Sequence, residues 1–405
     1  MRRNIEIVTN ERCTGCAGCY NACPEGAIEM ILSNEGFYRP IVDRSRCTNC
    51  GFCIGKCPEL SWETPLLSPP RVYAAWSRDD AVRLSSTSGG IFSELARGIL
   101  DAGGVVVGCA WNKNWEPEHF LIQSWDEVEK FRGSKYVPSK IGKAFRTIRE
   151  ISEKGREVLF CGTPCQVAAL GLSLSQKQRE KVLLVDLICH GVPSLRAFQQ
   201  YRDELFPEGL KSYWFRRKSN DSSHNIRAVT QSERLYDGQF KNDPFMKAFL
   251  ADHVIMMDSC HDCRYQGSIR PGDITVGDFW GVPKQWSDWR GVSVILTNTL
   301  KGNRWIDLLQ SKKNIELRET SFDIAASGNP KLLSGVVPKP FWRAVFMRQL
   351  SQGVPFMKLF RYYSPVLKLY RQIAFSLTRW RQGRVLLKLK KLILKFFLKN
   401  KKDGL

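Results

Sequence analysis

The sequence predicts a small α+β domain, a larger α/β domain and a basic helical C-terminal tail. Three observations indicate this order. Eight of the 14 cysteines fall within the first 60 residues. In the middle of the chain, strand-like apolar runs alternate with helix-like segments of about ten residues or more, a pattern that predicts parallel β pairing. Residues 341–405 carry 16 basic side chains and a single acid, Asp403.

Length and composition predict a folded cytoplasmic protein. With 405 residues and 43% hydrophobic side chains, the chain can bury several cores. The segment MRRNIEIVTNERC lacks the apolar run of a signal peptide, and 14 cysteines are too few for a disulfide scaffold of this length. We therefore expect reduced cysteines that bind metal or carry out redox chemistry.

The cysteine-rich segment forms the first predicted domain, residues 1–62, in a ferredoxin-like α+β fold with two clusters. The run Cys13-Thr-Gly-Cys16-Ala-Gly-Cys19-Tyr-Asn-Ala-Cys23-Pro24 has the spacing C-x2-C-x2-C-x3-C-P. The run from Cys47 through Cys50 and Cys53 to Cys57-Pro58 repeats it. This is the bacterial two-cluster ferredoxin pattern, in which the fourth cysteine of each run binds the other cluster.

That rule divides the eight cysteines into two ligand sets. Two zinc sites or a disulfide framework are the alternatives, but neither accounts for four cysteines per run followed by proline. The predicted 4Fe-4S ligands are Cys13, Cys16, Cys19 and Cys57 for one cluster, and Cys47, Cys50, Cys53 and Cys23 for the other.

The next predicted regions are a linker at 63–80, an α/β domain at 81–340 and the tail at 341–405. Pro and Ser residues in SWETPLLSPPRVY indicate the linker. The α/β domain is predicted from alternating segments, which we interpret in order as helix IFSELARGIL, strand GGVVVGCAW, helix KIGKAFRTIREISEKG, strand REVLFCG, helix QVAALGL, strand KVLLVDLICHG and helix LRAFQQYRDEL.

Six cysteines remain in the α/β region. Cys109 and Cys161 lie in or at the end of apolar strands, and we interpret both as packing residues. Cys165 and Cys189 follow strands immediately before a turn or helix, and the carboxyl ends of parallel strands are where ligands bind. The pair Cys260 and Cys263 is compatible with zinc, a redox dithiol or half of a cluster site. Together with Cys165 and Cys189 it would complete a third cluster.

The tail predicts contact with an anionic membrane surface. In VLLKLKKLILKFFLKN, lysines recur at helical spacing between Leu, Ile and Phe, as in a basic amphipathic helix. Docking on the protein's own core or on a partner subunit is the alternative. No apolar run is long enough for a transmembrane helix, and no nucleic-acid-binding motif is present, so we expect no nucleic-acid partner.

Seven strings occur in the order of a known family: SSTSGGIFSELA, GSKYVPSKIG, FCGTPCQVAAL, DLICHGVPS, WFRRK, CHDC and GDITVGDFWG. They resemble the family of the coenzyme F420 hydrogenase/dehydrogenase beta subunit, in the form with an N-terminal two-cluster ferredoxin domain. The likeness spans about residues 10 to 285. A group found with exopolysaccharide biosynthesis resembles the chain in its two-cluster N-terminus, and the basic tail fits that group best.

The resemblance implies a cytoplasmic iron-sulfur flavoprotein oxidoreductase. Electrons from ferredoxin or another redox protein would pass through 4Fe-4S clusters to FAD and on to a substrate, and the tail would place the protein at the inner face of the membrane. Two alternatives remain: an electron-transfer subunit that feeds a separate catalytic partner, and a scaffold in a glycan-assembly complex. The sequence lacks a GxGxxG fingerprint, so NAD(P)H is not expected as the direct donor.

The matching strings also suggest cofactor contacts. Ser88, Gly89 and Gly90 open a helix whose N–H groups could bind a flavin pyrophosphate, although a plain Ser-capped helix has the same sequence. His190 is the candidate proton relay, with a structural hydrogen bond as the alternative. The stretch expected to contact the phosphate and a ring of FAD, unless it is an ordinary surface loop, is Gly133, Ser134, Lys135 and Tyr136.

Overall fold

The computed structural model describes residues 3–61, 69–219, 222–333 and 337–364. Its strands are β1 (Ile28–Leu32), β2 (Tyr38–Val42), β3 (Arg71–Ser77), β4 (Val105–Trp111), β5 (Pro117–Ile122), β6 (Val158–Gly162), β7 (Val182–Leu187), β8 (Leu210–Ser219), β9 (Ser222–Thr230), β10 (Leu235–Gln239), β11 (Ile274–Asp278), β12 (Ser293–Thr297) and β13 (Ile315–Thr320). Its α-helices are α1 (Gly18–Ala22), α2 (Phe52–Gly55), α3 (Pro58–Ser61), α4 (Asp80–Ser85), α5 (Ile91–Asp101), α6 (Ala144–Glu153), α7 (Pro164–Ser173), α8 (Gln176–Lys181), α9 (Leu195–Leu205), α10 (Pro244–Met246), α11 (Leu300–Ser311), α12 (Phe322–Gly328) and α13 (Arg343–Ser351).

An eight-stranded mixed sheet forms the centre of the molecule, in the order β13-β3-β12-β11-β7-β6-β4-β5. Strands β4, β6, β7 and β11 are parallel neighbours, as the alternating pattern predicts. Their runs of Val, Leu and Ile are buried because helices cover both faces. The strands β3, β5, β12 and β13 make antiparallel pairs on either side of this parallel centre, and the sequence pattern did not predict them. Strand β3 lies within the predicted linker at 63–80, so that part of the linker belongs to the sheet.

The N-terminal segment forms short helices around the antiparallel hairpin of β1 and β2. It packs directly on the larger domain. The Arg146 guanidinium of α6 donates to the carbonyls of Tyr20, Asn21 and Cys23 at 2.9 to 3.1 Å. The Lys56 ammonium donates to the Leu172 carbonyl at the end of α7. These contacts hold the cysteine-rich segment beside the carboxyl end of the parallel strands.

A second, antiparallel sheet of order β10-β9-β8 packs with α9 around an aromatic core. Helix α13 adds Phe346, Met347 and Leu350 to this core, so the first part of the predicted tail is packed against the α/β domain. Residues 356–364 are helical as well. The lysine-rich segment for which we predict membrane contact lies outside the described residues.

Candidate functional site

The first sulfur group, defined as Cys13, Cys16, Cys19 and Cys57, lines one small cavity between the loop before α1 and the start of α3. Burial raises the pKa of the Cys16 thiol to about 12 and that of Cys57 to about 11. Backbone N–H groups partly offset this effect, from Gly18 at Cys16 and from Glu59 at Cys57. Such thiols become thiolates readily only if a metal centre takes up the charge.

The second sulfur group, defined as Cys23, Cys47, Cys50 and Cys53, lines a separate cavity nearer the surface. Two donors face its sulfurs: the Ala27 N–H lies 3.2 Å from Cys23 Sγ, and the Asn4 side-chain amide lies 3.8 Å from Cys47 Sγ. Cys50 is exposed, and the Phe52 side chain beside it is 61% exposed. This group is therefore the one that another protein could approach.

Left-handed backbone conformations shape both cysteine runs. Gly15 has a φ of +68°, and a Cβ there would lie 2.8 Å from the Tyr38 carbonyl oxygen. Gly51 has a φ of +79° between Cys50 and Cys53. Glycine adopts this conformation without the steric cost of a side chain, so each run can curl around its cavity.

The third sulfur group, defined as Cys165, Cys189, Cys260 and Cys263, lies at the carboxyl end of β6 and β7. Cys165 is in the first turn of α7, which begins at Pro164. A 3.0 Å hydrogen bond from the Thr163 N–H to the Gln166 side chain caps the start of this helix. Cys189 follows β7, and the other two come from the loop before β11. The four side chains keep some accessible surface, yet they lie deep enough for burial to raise all four pKa values.

The thiols of this group lie close enough for their charges to interact. Cys260 and Cys189 each raise the pKa of the Cys165 thiol, and so does Cys16 of the first sulfur group. Cys263 acts in the same way on Cys189 and Cys260. Backbone N–H groups of Val192 and Tyr265 face Cys260 and Cys263. Cys165 thus stands between the first and the third sulfur groups.

A buried ion pair fixes the loops that carry the third sulfur group. The Arg270 guanidinium donates to Asp186 Oδ1 at 2.6 and 3.1 Å and to the carbonyls of Tyr265 and Leu187. Asp186 is fully buried at the end of β7, and the Gly272 N–H donates to its second oxygen. The pair joins the strand before Cys189 to the loop after Cys263.

One cavity, here called the sheet-edge cavity, lies at the carboxyl ends of β4, β6, β7 and β11 and has a volume of about 260 Å³. Thr14 and Gly15 of the first cysteine run and Cys165 of the third sulfur group line it. The cavity therefore adjoins two of the three sulfur groups. This is the edge of a parallel sheet at which ligands usually bind.

The electrostatics of this cavity favour an anion. Helices α5 and α7 both begin at its wall, where their free N–H groups carry partial positive charge. Lys135 and Arg132 also line it. Burial lowers the pKa of Lys135 to about 8, so this ammonium remains mostly charged at neutral pH. The Asp278 carboxylate in the wall is paired with Arg216.

Most residues predicted to contact the cofactor line this cavity, but two do not. Ser88, Gly90, Gly133, Ser134 and Lys135 are in its wall. Gly89 instead packs against the backbone of β3, where a Cβ would lie 2.4 Å from the Ala75 carbonyl oxygen. The Tyr136 ring points into the aromatic core, with its centroid 5.5 Å from that of Phe215.

His190 does not line the sheet-edge cavity either. Its ring stacks on His253 and meets Phe249 edge-on, at centroid distances of 5.4 and 5.3 Å. Burial, together with the nearby charge of Lys331, lowers the pKa of His190 to about 3, so the imidazole is neutral at pH 7. This position offers no contact with a ligand in the cavity.

Sequence reasoning missed cavity residues with reactive side chains. Cys109 and Cys161, interpreted as packing residues, both line the cavity, as does His119 of the edge strand β5. His119 and Cys109 are register partners on β5 and β4. Cys109 and Cys161 lie in predicted strands, as buried packing residues do, and His119 lies in β5, which the sequence pattern did not predict.

Two features are missing from the part of the chain that the structure describes. None of its helices is long and apolar enough to cross a membrane. No three of its His, Cys, Asp or Glu side chains could hold a single metal ion, which is a different requirement from that of a four-iron cluster, where each of four ligands binds a separate iron.

Comparison with known proteins gives three matches to family models. Two of them describe the beta subunit of coenzyme F420 hydrogenase/dehydrogenase: residues 72–146 match the model of its N-terminal part, and residues 155–322 match the model of its C terminus. Residues 12–60 match the 4Fe-4S dicluster domain. The two longer matches contain most of the sheet-edge cavity, and the third contains the first two sulfur groups.

Sequence identity to individual relatives is low. The chain is 26% identical over 334 residues to the F subunit of the F(420)H(2) dehydrogenase of Methanosarcina mazei, and the match covers 76% of this chain and 86% of that protein. A solved structure, a xenon derivatization of the F420-reducing NiFe hydrogenase complex from Methanosarcina barkeri, aligns with a TM-score of 0.47 and 20% identity. That alignment covers 67% of this chain and 92% of the other.

Proposed function

Because the chain belongs to the family of the coenzyme F420 hydrogenase/dehydrogenase beta subunit, we propose that it is an iron-sulfur flavoprotein oxidoreductase that passes electrons through 4Fe-4S clusters to FAD and on to an acceptor of its own. The observation that carries the proposal is the position of Cys165. This one residue belongs to the third sulfur group, interacts electrostatically with Cys16 of the first, and lines the sheet-edge cavity. A cluster at the third sulfur group would therefore lie next to both a cluster at the first group and a flavin in the sheet-edge cavity.

The donor sets fit three 4Fe-4S clusters. Each sulfur group supplies four thiols, with backbone or amide donors facing the sulfurs, as iron-sulfur ligands require. We infer the third set from the positions of its members in the structure and not from their spacing in the sequence. Its members are Cys165, Cys189, Cys260 and Cys263. The 4Fe-4S dicluster match supports clusters at the first two groups.

The sheet-edge cavity fits FAD. Its pyrophosphate would lie against the start of α5 near Ser88 and Gly90, where free N–H groups attract an anion. Lys135 would add positive charge to this wall, while its three N–H groups donate to the carbonyls of Lys130, Phe131 and Arg132 at 3.0 to 3.2 Å. When bound, the clusters would carry single electrons and the flavin would supply the two-electron chemistry.

The redox partner would approach the second sulfur group, because Cys50 and Phe52 are exposed there. We expect a ferredoxin or another redox protein, and the name of the Methanosarcina mazei relative makes coenzyme F420 the first small acceptor to test. Feeding a separate catalytic subunit is the second candidate, favoured because that relative is itself named as a subunit. The links to polysaccharide synthesis and to a membrane surface stay predictions.

Anaerobic purification with iron, sulfide and flavin quantitation tests the proposal. We expect about twelve irons and one FAD per chain, from three four-iron clusters. Eight irons without flavin would contradict both the third cluster and the flavin site. Turnover of coenzyme F420 by the isolated chain separates the two candidates, since a subunit that only feeds a partner would show none.

A pair of cysteine variants controls that measurement. Cys165→Ser should lower the iron content by about one third, because it removes a ligand of one cluster in three. Cys109→Ser should retain all the iron, because Cys109 lines the same cavity but belongs to no sulfur group. Equal loss in the two variants would show a general disturbance of the cavity and not a ligand role.

A further inference from the structure

The Lys331 ammonium is a buried cation that the described part of the fold leaves without a hydrogen bond. Lys331 lies in the short 3-10 helix Pro330–Leu332 and is 9% exposed. Its Nζ makes no hydrogen bond to any residue that the structure describes. Lysine is almost never buried in this way without a partner, because removing the charge from water is costly. A compensating anion is therefore expected beside it.

Three thiols of the third sulfur group lie within electrostatic range of this ammonium. Cys189, Cys263 and Cys260 are the groups whose negative charge would act on Lys331, and Lys331 acts on each of them in return. The Lys331 carbonyl accepts a 3.2 Å bond from the Gly267 N–H, in the loop that follows Cys263. The backbone of the helix is thus tied to the segment that carries the sulfurs.

Arg270 is another cation near these sulfurs, and it differs in one respect. It also acts on Cys189 and Cys263. Its guanidinium, however, is bound to the buried Asp186 carboxylate, which cancels its charge. The charge of Lys331 has no such counterpart among the described residues. Lys331 therefore contributes the uncompensated positive charge at this site.

We infer that Lys331 is the counter-charge of a cluster held by the third sulfur group and raises its reduction potential. Four thiolates make a ligated 4Fe-4S cluster anionic, and one added electron makes it more so. A fixed cation stabilises the reduced form more than the oxidised form, and net charge is among the factors that set cluster potentials. Burial lowers the pKa of Lys331, whereas negative charge on the three thiols raises it, so ligated thiolates favour the ammonium form.

This inference rests on the proposed third cluster and concerns its tuning. A buried cation at the third site would make an added electron more stable on the third cluster, next to the sheet-edge cavity, than on the cluster that contains the exposed Cys50. The plain alternative is a packing role, in which the four-carbon stem of Lys331 fills space and its charge has no effect.

Potentiometric titration followed by EPR spectroscopy tests the inference in the full chain. We expect Lys331→Met to weaken the electron affinity of the third cluster at least tenfold, which is about 59 mV to lower potential for a one-electron couple. Lys331→Arg should retain most of the wild-type potential. The N-terminal clusters serve as internal references and should not shift. Lys301→Met, which removes a lysine bound to carbonyls at the amino end of β7, is the matched control.

The outcomes separate this inference from the proposed function. A wild-type chain with about eight irons and no third signal would contradict the third cluster itself. A third signal whose potential is the same in Lys331→Met and wild type would overturn the tuning role while the cluster stands. Loss of the third cluster in both the Met and the Arg variants would show a packing role and overturn it as well. If Lys331→Met does not fold, Lys331→Gln takes its place with the same criteria.

Discussion

The N-terminal and third sulfur groups are built in different ways. The first two groups take all their thiols from residues 13–57, in two runs of regular spacing, and one of their cysteines is exposed. The third group collects its thiols from a helix, a strand end and a loop between residues 165 and 263, and burial raises the pKa of every one. Local spacing supplies three of the four thiols in each of the first two groups and the other run supplies the fourth, whereas the third group exists only where the sheet brings distant segments together.

The largest expected effect separates the two kinds of site directly. Cys260→Ser should abolish the third cluster and leave the N-terminal clusters intact, so that about eight of about twelve irons remain. Iron quantitation and EPR spectroscopy of the reduced protein measure this. If the N-terminal signals disappear as well, the sites are not independent and the comparison fails.

Arg270→Met should destabilise the region around the third group by about 3–5 kcal/mol, because it leaves the Asp186 carboxylate buried without its partner. Thermal unfolding should show this as a lower Tm. The double variant Asp186→Asn, Arg270→Met should recover part of the loss, since no lone charge remains. A single variant as stable as wild type would mean that the ion pair does not hold these loops.

Arg146→Ala should lower the stability of the molecule by about 2 kcal/mol while leaving the iron content of the first two groups unchanged. The guanidinium bonds to three N-terminal carbonyls, and hydrogen bonds to charged groups contribute about 1.5–3 kcal/mol each, less when partly exposed. The cluster ligands, in contrast, come from within the segment itself. Loss of N-terminal iron in this variant would show that these sites need the larger domain.

His119→Phe should make the protein less sensitive to acid by about 1–2 kcal/mol between pH 7 and pH 5. Burial lowers the pKa of His119 from 6.5 to about 4, so the unfolded chain binds a proton in that range and the folded chain does not. Stability that depends on neutral His119 is therefore lost as the pH falls below about 6.5. The Tm of wild type and variant at the two pH values measures the difference, and parallel declines would contradict it.

The smallest effect is expected at the surface. Lys177 and Glu153 form an ion pair whose side chains are 68% and 52% exposed, so Lys177→Ala should change stability by less than about 0.5 kcal/mol. Unfolding in urea measures this. A larger loss would mean that surface pairs matter as much as the buried pair at the third group.

Several elements of the fold were predictable because their patterns are local. The strands β4, β6 and β7 and the helices α5, α6, α7 and α9 appear where the apolar runs predict them. The antiparallel strands were not predicted, since an edge or flanking strand is chosen by its neighbours rather than by its own composition. The side chains of Tyr136 and His190 differ from expectation for a related reason: aromatic packing directs both rings away from the cavity.

By itself, the sequence indicated the eight N-terminal cysteines and their division into two sets, because the repeated spacing is that of a two-cluster ferredoxin, in which the fourth cysteine of each run serves the other cluster. It also indicated the parallel strands at the centre of the larger domain. Only the tertiary structure decided which distant residues meet: the four thiols of the third group, the sheet-edge cavity with Cys161 and His119 in its wall, and the Lys331 ammonium beside the sulfurs. Proximity of this kind depends on strand order and on long-range packing. Neither produces a periodic pattern in the sequence.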